Sequence, residues 1–241
     1  MDSLRNAYLA EMGIAALVAR ERPGGAVLDG SRSSPVAEQD GAAAPHGRMD
    51  SRDVESLDWA ALRAAVATCE RCELHKTRRQ TVFGTGRQTA DLLVIGEAPG
   101  ADEDQQGEPF VGRAGQLLNA MLRAMGLQRE DVYITNILKC RPPNNRDPRR
   151  DEATACSPFL DRQIRLLQPR AVLALGRISA QWLLGSELPV GKLRGQIRTF
   201  GAQDTPLVVS YHPAYLLRSP AAKAKAWQDL LLVKTLIDEP Q

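Results

Sequence analysis

The stretch GEAPGADEDQQGEPFVGRAG, residues 96–115, joins an apolar run to a segment with helical periodicity. DLLVI (residues 91–95) precedes it, and QLLNAMLRAMG (residues 116–126) follows it. A strand, a glycine-rich turn and a helix in this order often cradle a phosphate on backbone N–H groups. This loop, however, carries several carboxylates, which repel a phosphate unless a metal lies between them. They are Glu97, Asp102, Glu103, Asp104 and Glu108. The loop is therefore expected to hold something other than a nucleotide phosphate.

Four β-rich apolar runs alternate with helical patterns along the chain. The runs are LLVIG (92–96), VYITNIL (132–138), AVLALG (171–176) and LVVSYH (207–212). Continuous apolar runs are typical of buried parallel strands, and the alternation with helices indicates a doubly wound topology. We predict an α/β fold, a three-layer α/β/α sandwich with a central, mainly parallel four-stranded sheet. Ligands of such sheets bind beyond the carboxyl ends of the strands.

Composition divides the 241 residues into three parts. Residues 1–20 are predicted to form a short amphipathic helix, which either packs on its own protein or docks on a protein partner. Residues 21–56 are rich in Gly, Ala, Pro and Ser and are expected to be a flexible linker, and residues 57–241 form the folded domain. The chain has no apolar run of about 18 residues and no secretory signal features, so a cytoplasmic monomer that does not contact membranes is expected.

The chain contains four cysteines, Cys69, Cys72, Cys140 and Cys156. Disulfides are rare in a reducing cytoplasm, and a C-x2-C pair directs both sulfurs at one point. Four cysteines match the ligand count of either a zinc site or an iron–sulfur cluster, and their spacing does not separate these two. The simpler alternative is two buried cysteines and an accidental C-x2-C pair.

From about Cys69 to the C-terminus, the chain resembles the family 4 uracil-DNA glycosylases, the iron–sulfur branch of that superfamily. GEAPGADEDQQGEPFVGRAGQLL resembles the family's first motif, TNILKCRPP (135–143) its central motif, and HPAYLL (212–217) its second motif. The four cysteines match the family's cluster ligands in order and spacing. The resemblance implies a [4Fe–4S] cofactor, with zinc as the alternative. It also implies a base-excision-repair hydrolase that cleaves the N-glycosidic bond of uracil in DNA, the flipped base occupying a pocket. No lysine lies at a motif position suited to a lyase step.

The resemblance assigns the base pocket to residues of these motifs. Phe110 is expected to stack on the uracil ring. The amide of Asn136 suits uracil O4 and N3–H together and rejects cytosine, which presents the opposite pattern. The backbone of residues 96–98, which are Gly96, Glu97 and Ala98, is expected to approach the base closely. His212 is expected to donate to O2, where negative charge develops as the bond breaks.

The residue that orients the attacking water is left open. Related families have Asp or Asn at the third position of the first motif, where this chain has Ala98. The nearby carboxylates Glu97, Glu103 and Asp104 are the candidates, and we favour Glu103. The alternative for these acids is a solvated loop at a helix N-terminus.

The net charge of +2 alone predicts no polyanion partner, so DNA binding requires a local basic surface. The segment KCRPPNNRDPRR (139–150) supplies Lys139, and the arginines predicted to contact DNA follow: Arg141, Arg146, Arg149 and Arg150. The segments LPVGKLRGQIR (188–198) and HPAYLLRSPAAKAK (212–225) add further basic residues, including Arg194 and Arg218. One of Tyr215, Leu216 and Leu217, with Leu216 favoured, or else Arg218, is expected to fill the space left by the flipped base.

Two other functions remain open from the sequence. One is a glycosylase for other deaminated bases, because the back wall of the pocket cannot be read from sequence. The other is a non-catalytic Fe–S DNA-binding module that keeps the fold and the cluster. The presence of Phe110, Asn136 and His212 favours the enzyme over the binding module.

Overall fold

The four apolar runs form the centre of a six-stranded sheet. A computed structural model of the chain describes residues 51–201 and 203–239. Its strands are β1 (Thr85–Gly86), β2 (Leu92–Gly96), β3 (Tyr133–Asn136), β4 (Ala171–Leu175), β5 (Ile197–Phe200) and β6 (Thr205–Ser210). Every residue of β2, β3 and β4 is buried, as expected for strands covered on both faces.

The strand order is β1-β3-β2-β4-β6-β5. The four central strands are parallel to their neighbours, and β1 and β5 pair antiparallel to β3 and β6 at the two edges. The α/β prediction is confirmed, but the predicted count of four strands is too low. The two edge strands were missed because neither contains an apolar run: β1 has only two residues, and β5 alternates between exposed and partly buried positions.

Helices cover both faces of the sheet. They are α1 (Ser51–Glu55), α2 (Trp59–Ala67), α3 (Ala101–Gln106), α4 (Arg113–Ala124), α5 (Arg150–Leu167), α6 (Arg177–Leu184), α7 (Val190–Leu193), α8 (Pro213–Arg218) and α9 (Lys223–Asp238). Helices α1, α2, α5 and α6 contribute to one hydrophobic cluster, which includes Leu93 and Ile95 of β2. Helices α4, α8 and α9 contribute to the other, which includes Leu92 and Val94. Because side chains alternate across a strand, β2 supplies both cores, as a three-layer sandwich requires.

The folded domain includes residues that the sequence assigned to a linker. The predicted helix over residues 1–20, with its protein partner, and most of the predicted linker over 21–56 lie outside the described residues. Helix α1, however, begins at Ser51, and Val54 is completely buried in the core. One apolar residue in a polar stretch gave no periodic signal, so the linker was extended too far, to residue 56. Within the described residues, no helix is long and apolar enough to cross a membrane.

A buried ion pair fixes the carboxyl end of β6. Asp229 of α9 accepts hydrogen bonds from Arg194 Nε (3.0 Å) and Nη2 (2.8 Å), from the backbone N–H of Gly195 (3.1 Å) and from Ser210 Oγ (2.8 Å). Arg194 is only 12% exposed and Asp229 is fully buried. Arg194 is therefore not part of a DNA-facing basic surface, in contrast to the sequence interpretation. Its role is to hold α9 against the turn before β5 and the end of β6.

We expect Asp229→Ala to lower the free energy of unfolding by about 3–5 kcal/mol, because the change leaves Arg194 buried and unpaired. Urea denaturation would measure this. Asp238→Ala is the matched control on the same helix, since Asp238 pairs with Lys234 at the surface. The control should change stability by less than about 1 kcal/mol. Equal effects of the two substitutions would contradict the assignment.

Candidate active site at the carboxyl edge of the sheet

The ends of three parallel strands bring the predicted pocket residues together. Gly96 and Asn136 are direct partners in the register of β2 and β3. His212 lies two residues beyond β6. Gly176 follows β4, and a Cβ atom at Gly176 would lie 3.0 Å from His212 Cβ. The edge predicted from the strand order therefore gathers Gly96, Asn136 and His212 from segments far apart in sequence.

The absence of a side chain at Gly96 makes room for two functional groups. A Cβ atom there would lie 2.3 Å from Asn136 Oδ1 and 2.6 Å from Phe110 Cζ, both too close for any real contact. Asn136 is 2% exposed and Phe110 6% exposed. The amide and the aromatic ring therefore meet over the glycine, as the predicted base pocket requires.

Phe110 is held in a backbone conformation that a phenylalanine rarely adopts. Its φ is 53°, in the left-handed region. Arg129 Nη1 donates to the carbonyl of Phe110 (3.4 Å), and Nη2 donates to the carbonyl of Pro109 (2.5 Å). A Cβ atom at Gly115 would lie 1.7 Å from the Phe110 carbonyl oxygen, so α4 begins in contact with this loop. Such strain persists only where the surroundings fix it, and it clusters at functional sites.

His212 has a defined tautomer and is neutral. Its Nδ1 accepts the backbone N–H of Ala214 (3.2 Å) and caps α8. In a neutral imidazole the proton must then be on Nε2, which becomes a donor. Burial, and secondarily the charge of Arg218, lowers the pKa of His212 to about 4. Its ring centroid lies 5.5 Å from that of Phe110, with 29° between the ring planes.

Two of the candidate carboxylates hold the acidic loop together. Glu103 accepts backbone N–H groups through both oxygens, from Gly100 at 3.0 Å and from Val111 at 3.0 Å, with Gly112 at 3.4 Å. Asp104 is buried and accepts the N–H of Arg79 at 2.9 Å. These acids lie in the first turn of α3, where carboxylates are favourable. This arrangement does not support Glu103 as the residue that orients water.

Glu97 differs from these acids because its carboxylate accepts no hydrogen bond within the described part of the chain. Burial raises the pKa of Glu97 to about 7, and the charge of Asp147 adds to the rise while that of Arg177 opposes it. Asp147 and Arg177 form an exposed ion pair (2.5 Å) near the same edge. The site thus contains one carboxylate that changes charge near neutral pH. A perturbed carboxylate in a pocket is a candidate for proton transfer.

The four cysteines, all free thiols, line one cavity. Burial raises the pKa of Cys140 to about 11 and that of Cys156 to about 12. Cys69 and Cys72 also act electrostatically on the Cys140 thiol. The four cysteines that the sequence analysis grouped as candidate ligands therefore line the same cavity.

Cations surround this cavity, and no carboxylate lines it. Arg78 Nη1 donates to Cys140 Sγ (3.2 Å) and to the carbonyl of Cys69 (2.7 Å). Arg71 Nη1 is the single buried side-chain polar atom without a hydrogen-bond partner in the parts of the chain described here. An unpartnered buried donor next to four cysteines indicates an anionic occupant, because leaving such a donor unsatisfied is costly. Among the described residues, no group of three or more His, Cys, Asp or Glu is arranged to hold a single metal ion.

Several of the predicted DNA contacts lie elsewhere than expected. Lys139 is fully buried, and burial lowers its pKa to about 8. Arg146 makes a bidentate pair with the buried Glu152, at 2.9 and 2.5 Å, and so stabilises the start of α5. Leu216 is completely buried in the core beneath α8, so it cannot be the wedge. Lys139 and Leu216 were misassigned because their burial is not visible in the sequence, whereas Arg146 is 31% exposed and stays a predicted DNA contact.

The remaining predicted contacts are accessible. Arg149, Arg150 and Arg218 are exposed, and Arg141 is partly exposed and donates from Nε to Asn145 Oδ1 (2.7 Å). Tyr215 is 40% exposed directly beside the buried Leu216, and its ring stacks on Tyr211 at 5.0 Å. Sequence reasoning missed the support residues Arg129, Arg78 and Arg71, since an arginine in a loop gives no signal of its partner.

Comparisons with known proteins identify relatives across most of the folded domain. The family model of the uracil DNA glycosylase superfamily matches residues 83–231. The type-4 uracil-DNA glycosylase of Pyrobaculum aerophilum is 45% identical over 73% of this chain and 93% of its own length. That of Archaeoglobus fulgidus is 40% identical over 78% of this chain and 96% of its own length. That of Thermotoga maritima is 43% identical over 64% of this chain and 80% of its own length.

We expect Glu103→Gln to loosen the acidic loop, because an amide nitrogen would then face a backbone N–H that a carboxylate oxygen now accepts. Hydrogen exchange at the Val111 and Gly100 amides should be faster by at least about tenfold, the loss of one charged hydrogen bond. Glu108→Gln, at an exposed position of the same loop, is the control and should leave these rates unchanged. Wild-type exchange in Glu103→Gln would exclude the clamp.

Proposed function

Because this chain belongs to the uracil-DNA glycosylase superfamily, and within it to the type-4 enzymes, it is a DNA-repair hydrolase that removes uracil from DNA, and we propose that it does so with the residues gathered at the carboxyl edge of the sheet. The observation that carries the proposal is the meeting of Phe110 and Asn136 over Gly96, which has no side chain, with the His212 ring centroid 5.5 Å from that of Phe110.

Uracil recognition would use the face and one edge of the base. The ring of Phe110 offers a stacking surface, and the Asn136 amide beside it offers one donor and one acceptor for N3–H and O4. A base that stacks between two rings needs ring centroids roughly 7 Å apart, because each stacking contact takes about 3.5 Å. The centroids of Phe110 and His212 are only 5.5 Å apart. His212 would therefore meet the base at its edge rather than at its face.

His212 would stabilise the departing base. Cleavage of the N-glycosidic bond leaves negative charge on O2, and the Nε2–H of a neutral imidazole can donate to it. The pKa near 4 keeps His212 neutral at physiological pH, so the hydrogen bond forms without a prior protonation step. Preorganised donors of this kind contribute about 100- to 1,000-fold to the rate.

Glu97 would orient the attacking water, in place of the Glu103 that the sequence favoured. Its carboxylate is not engaged within the described part of the chain, whereas both oxygens of Glu103 bind the loop backbone. In its deprotonated form Glu97 can accept a hydrogen bond from water. The oxocarbenium-like sugar then needs little further activation of that water.

The cysteine cavity would hold a [4Fe–4S] cluster. The four thiols, the orphan donor of Arg71 and the hydrogen bond from Arg78 fit an anionic thiolate-bound group. Zinc–sulfur bonds of about 2.3 Å require sulfurs that converge on one point. Zinc is the alternative occupant of the same four thiols. When bound, the cluster would supply structural cross-links between the end of α2, the Cys140 loop and α5.

DNA would lie across the exposed basic residues near the pocket. Arg149 and Arg150 at the start of α5 and Arg218 at the end of α8 are free to contact phosphates. Tyr215 replaces Leu216 as the proposed wedge, because it is exposed and aromatic rings stack on unpaired bases. The free cysteines suit a reducing compartment, and we retain the cytoplasm and a monomer as part of the proposal.

The function is tested with anaerobically purified protein and an oligonucleotide that carries one uracil. We expect a broad visible absorption from the cluster and alkali-sensitive strand breakage at the uracil, with thymine and cytosine oligonucleotides as controls. A coloured protein that leaves uracil in place would refute the assigned substrate. An active, colourless and iron-free protein would refute the cluster.

The role of Glu97 predicts a pH dependence. A raised pKa means that Glu97 is protonated below about pH 7, so kcat/KM should increase with pH, with a midpoint near 7. Glu97→Gln should lower the rate and abolish this dependence. Asp147→Asn should move the midpoint to lower pH, because a negative charge that disfavours the carboxylate is removed, and Arg177→Gln should move it to higher pH. An unchanged profile in Glu97→Gln would assign the titration to another group.

A further inference from the structure

Lys139 is a buried ammonium that lies between the cysteine cavity and the base pocket. It is 1% exposed. Its Nζ donates to Thr135 Oγ1 (2.6 Å), to the Asn136 carbonyl (2.8 Å) and to Gln163 Oε1 (2.7 Å). An ammonium has three donors and a neutral amine only two, so three short contacts to acceptors fit the charged form. All of its hydrogen-bonding capacity is therefore used.

None of the three acceptors carries a charge, and Lys139 makes no ion pair among the residues described. A buried cation without a counter-charge is strongly disfavoured. Lys139 also lines the cysteine cavity, and its backbone N–H donates to Cys156 Sγ (3.3 Å). The cysteine cavity is therefore where a counter-charge can lie.

The ammonium also contacts the residue that is proposed to read the base. Asn136 is the last residue of β3, and its carbonyl accepts one of the three hydrogen bonds. Gln163 of α5 is itself fixed, since its Nε2 donates to the Phe83 carbonyl (2.9 Å) and to the Tyr133 hydroxyl (3.3 Å). Lys139 is therefore tied to rigid elements and sets the position of the Asn136 backbone.

We propose that Lys139 is a positioning residue that couples the two sites: its ammonium is the internal counter-ion of the cysteine-bound cluster and at the same time anchors Asn136 for uracil recognition. The proposal rests on the proposed function, and it makes the cluster's charge part of what holds the base-reading amide in place. Neither Lys139 nor Gln163 contacts the base, so both act through Asn136.

The test uses Lys139→Met, which keeps the length of the side chain and removes its charge and its donors. The cluster's reduction potential should shift to a more negative value, because a nearby positive charge that stabilises the more negative, reduced cluster is lost. Inhibition by free uracil should weaken by about tenfold or more, the scale of a lost charged hydrogen bond. Lys192→Met, at an exposed lysine, is the control and should change neither.

Gln163→Met separates the anchoring of Asn136 from the counter-ion role of Lys139. It also tests the anchoring if Lys139→Met does not fold. It removes one acceptor but keeps the ammonium, so uracil inhibition should weaken while the reduction potential stays near that of the wild type. Unchanged uracil inhibition in Gln163→Met, or an unchanged potential in a folded Lys139→Met, would overturn the coupling. Failure of the wild-type protein to release uracil would instead refute the proposed function, and the potential measurement would still stand.

Discussion

The absence of a side chain at Gly96 is the constraint on which the pocket depends. Gly96 and Asn136 are register partners at the carboxyl end of β2 and β3, so the ladder that builds the sheet also sets the distance between them. A single methyl group would overlap both the Asn136 amide and the Phe110 ring. The strained backbone of Phe110, the arginine that binds its loop and the close contact of Gly115 all serve to bring one ring to this point. The close packing at Gly96 therefore lies where the base would bind.

The charge distribution divides the molecule into two environments that lie close together. Among the described residues, cations and no carboxylate line the cysteine cavity, which suits the proposed anionic cluster. At the pocket, burial disfavours the charged forms of the side chains: His212 is neutral, and Glu97 favours its protonated form more than an exposed glutamate does. An uncharged base needs shape and hydrogen bonds, whereas charge is required only as the bond breaks. Lys139 lies at the boundary between the two environments, because it lines the cysteine cavity and donates from Nζ to the Asn136 carbonyl.

The sequence was informative where a residue's role follows from local pattern. Continuous apolar runs located the parallel strands, and the rule that ligands bind at their carboxyl ends brought Asn136 and His212 to one edge. The C-x2-C spacing located the cavity. The sequence was uninformative where the role of a residue depends on a partner far away in the chain. Nothing near Arg194 indicates that Asp229 buries it, and nothing near Leu216 distinguishes a core residue from a wedge. Charged residues counted as surface from composition can be the most buried charges in the fold.

The acidic loop shows why neighbouring carboxylates have different roles. Glu103 and Asp104 point back to backbone N–H groups, where their negative charge is most useful as an acceptor. Glu97 lies one residue after a buried strand, so desolvation is the largest cause of its raised pKa. The exposed Asp147–Arg177 pair contributes less, since surface charges are screened by water and salt. The burial that raises its proton affinity also leaves its anion poorly hydrated. A poorly hydrated carboxylate is a strong hydrogen-bond acceptor for a single water molecule. Because Ala98 cannot accept such a hydrogen bond, another residue of the site must do so, and Glu97 is the proposed one.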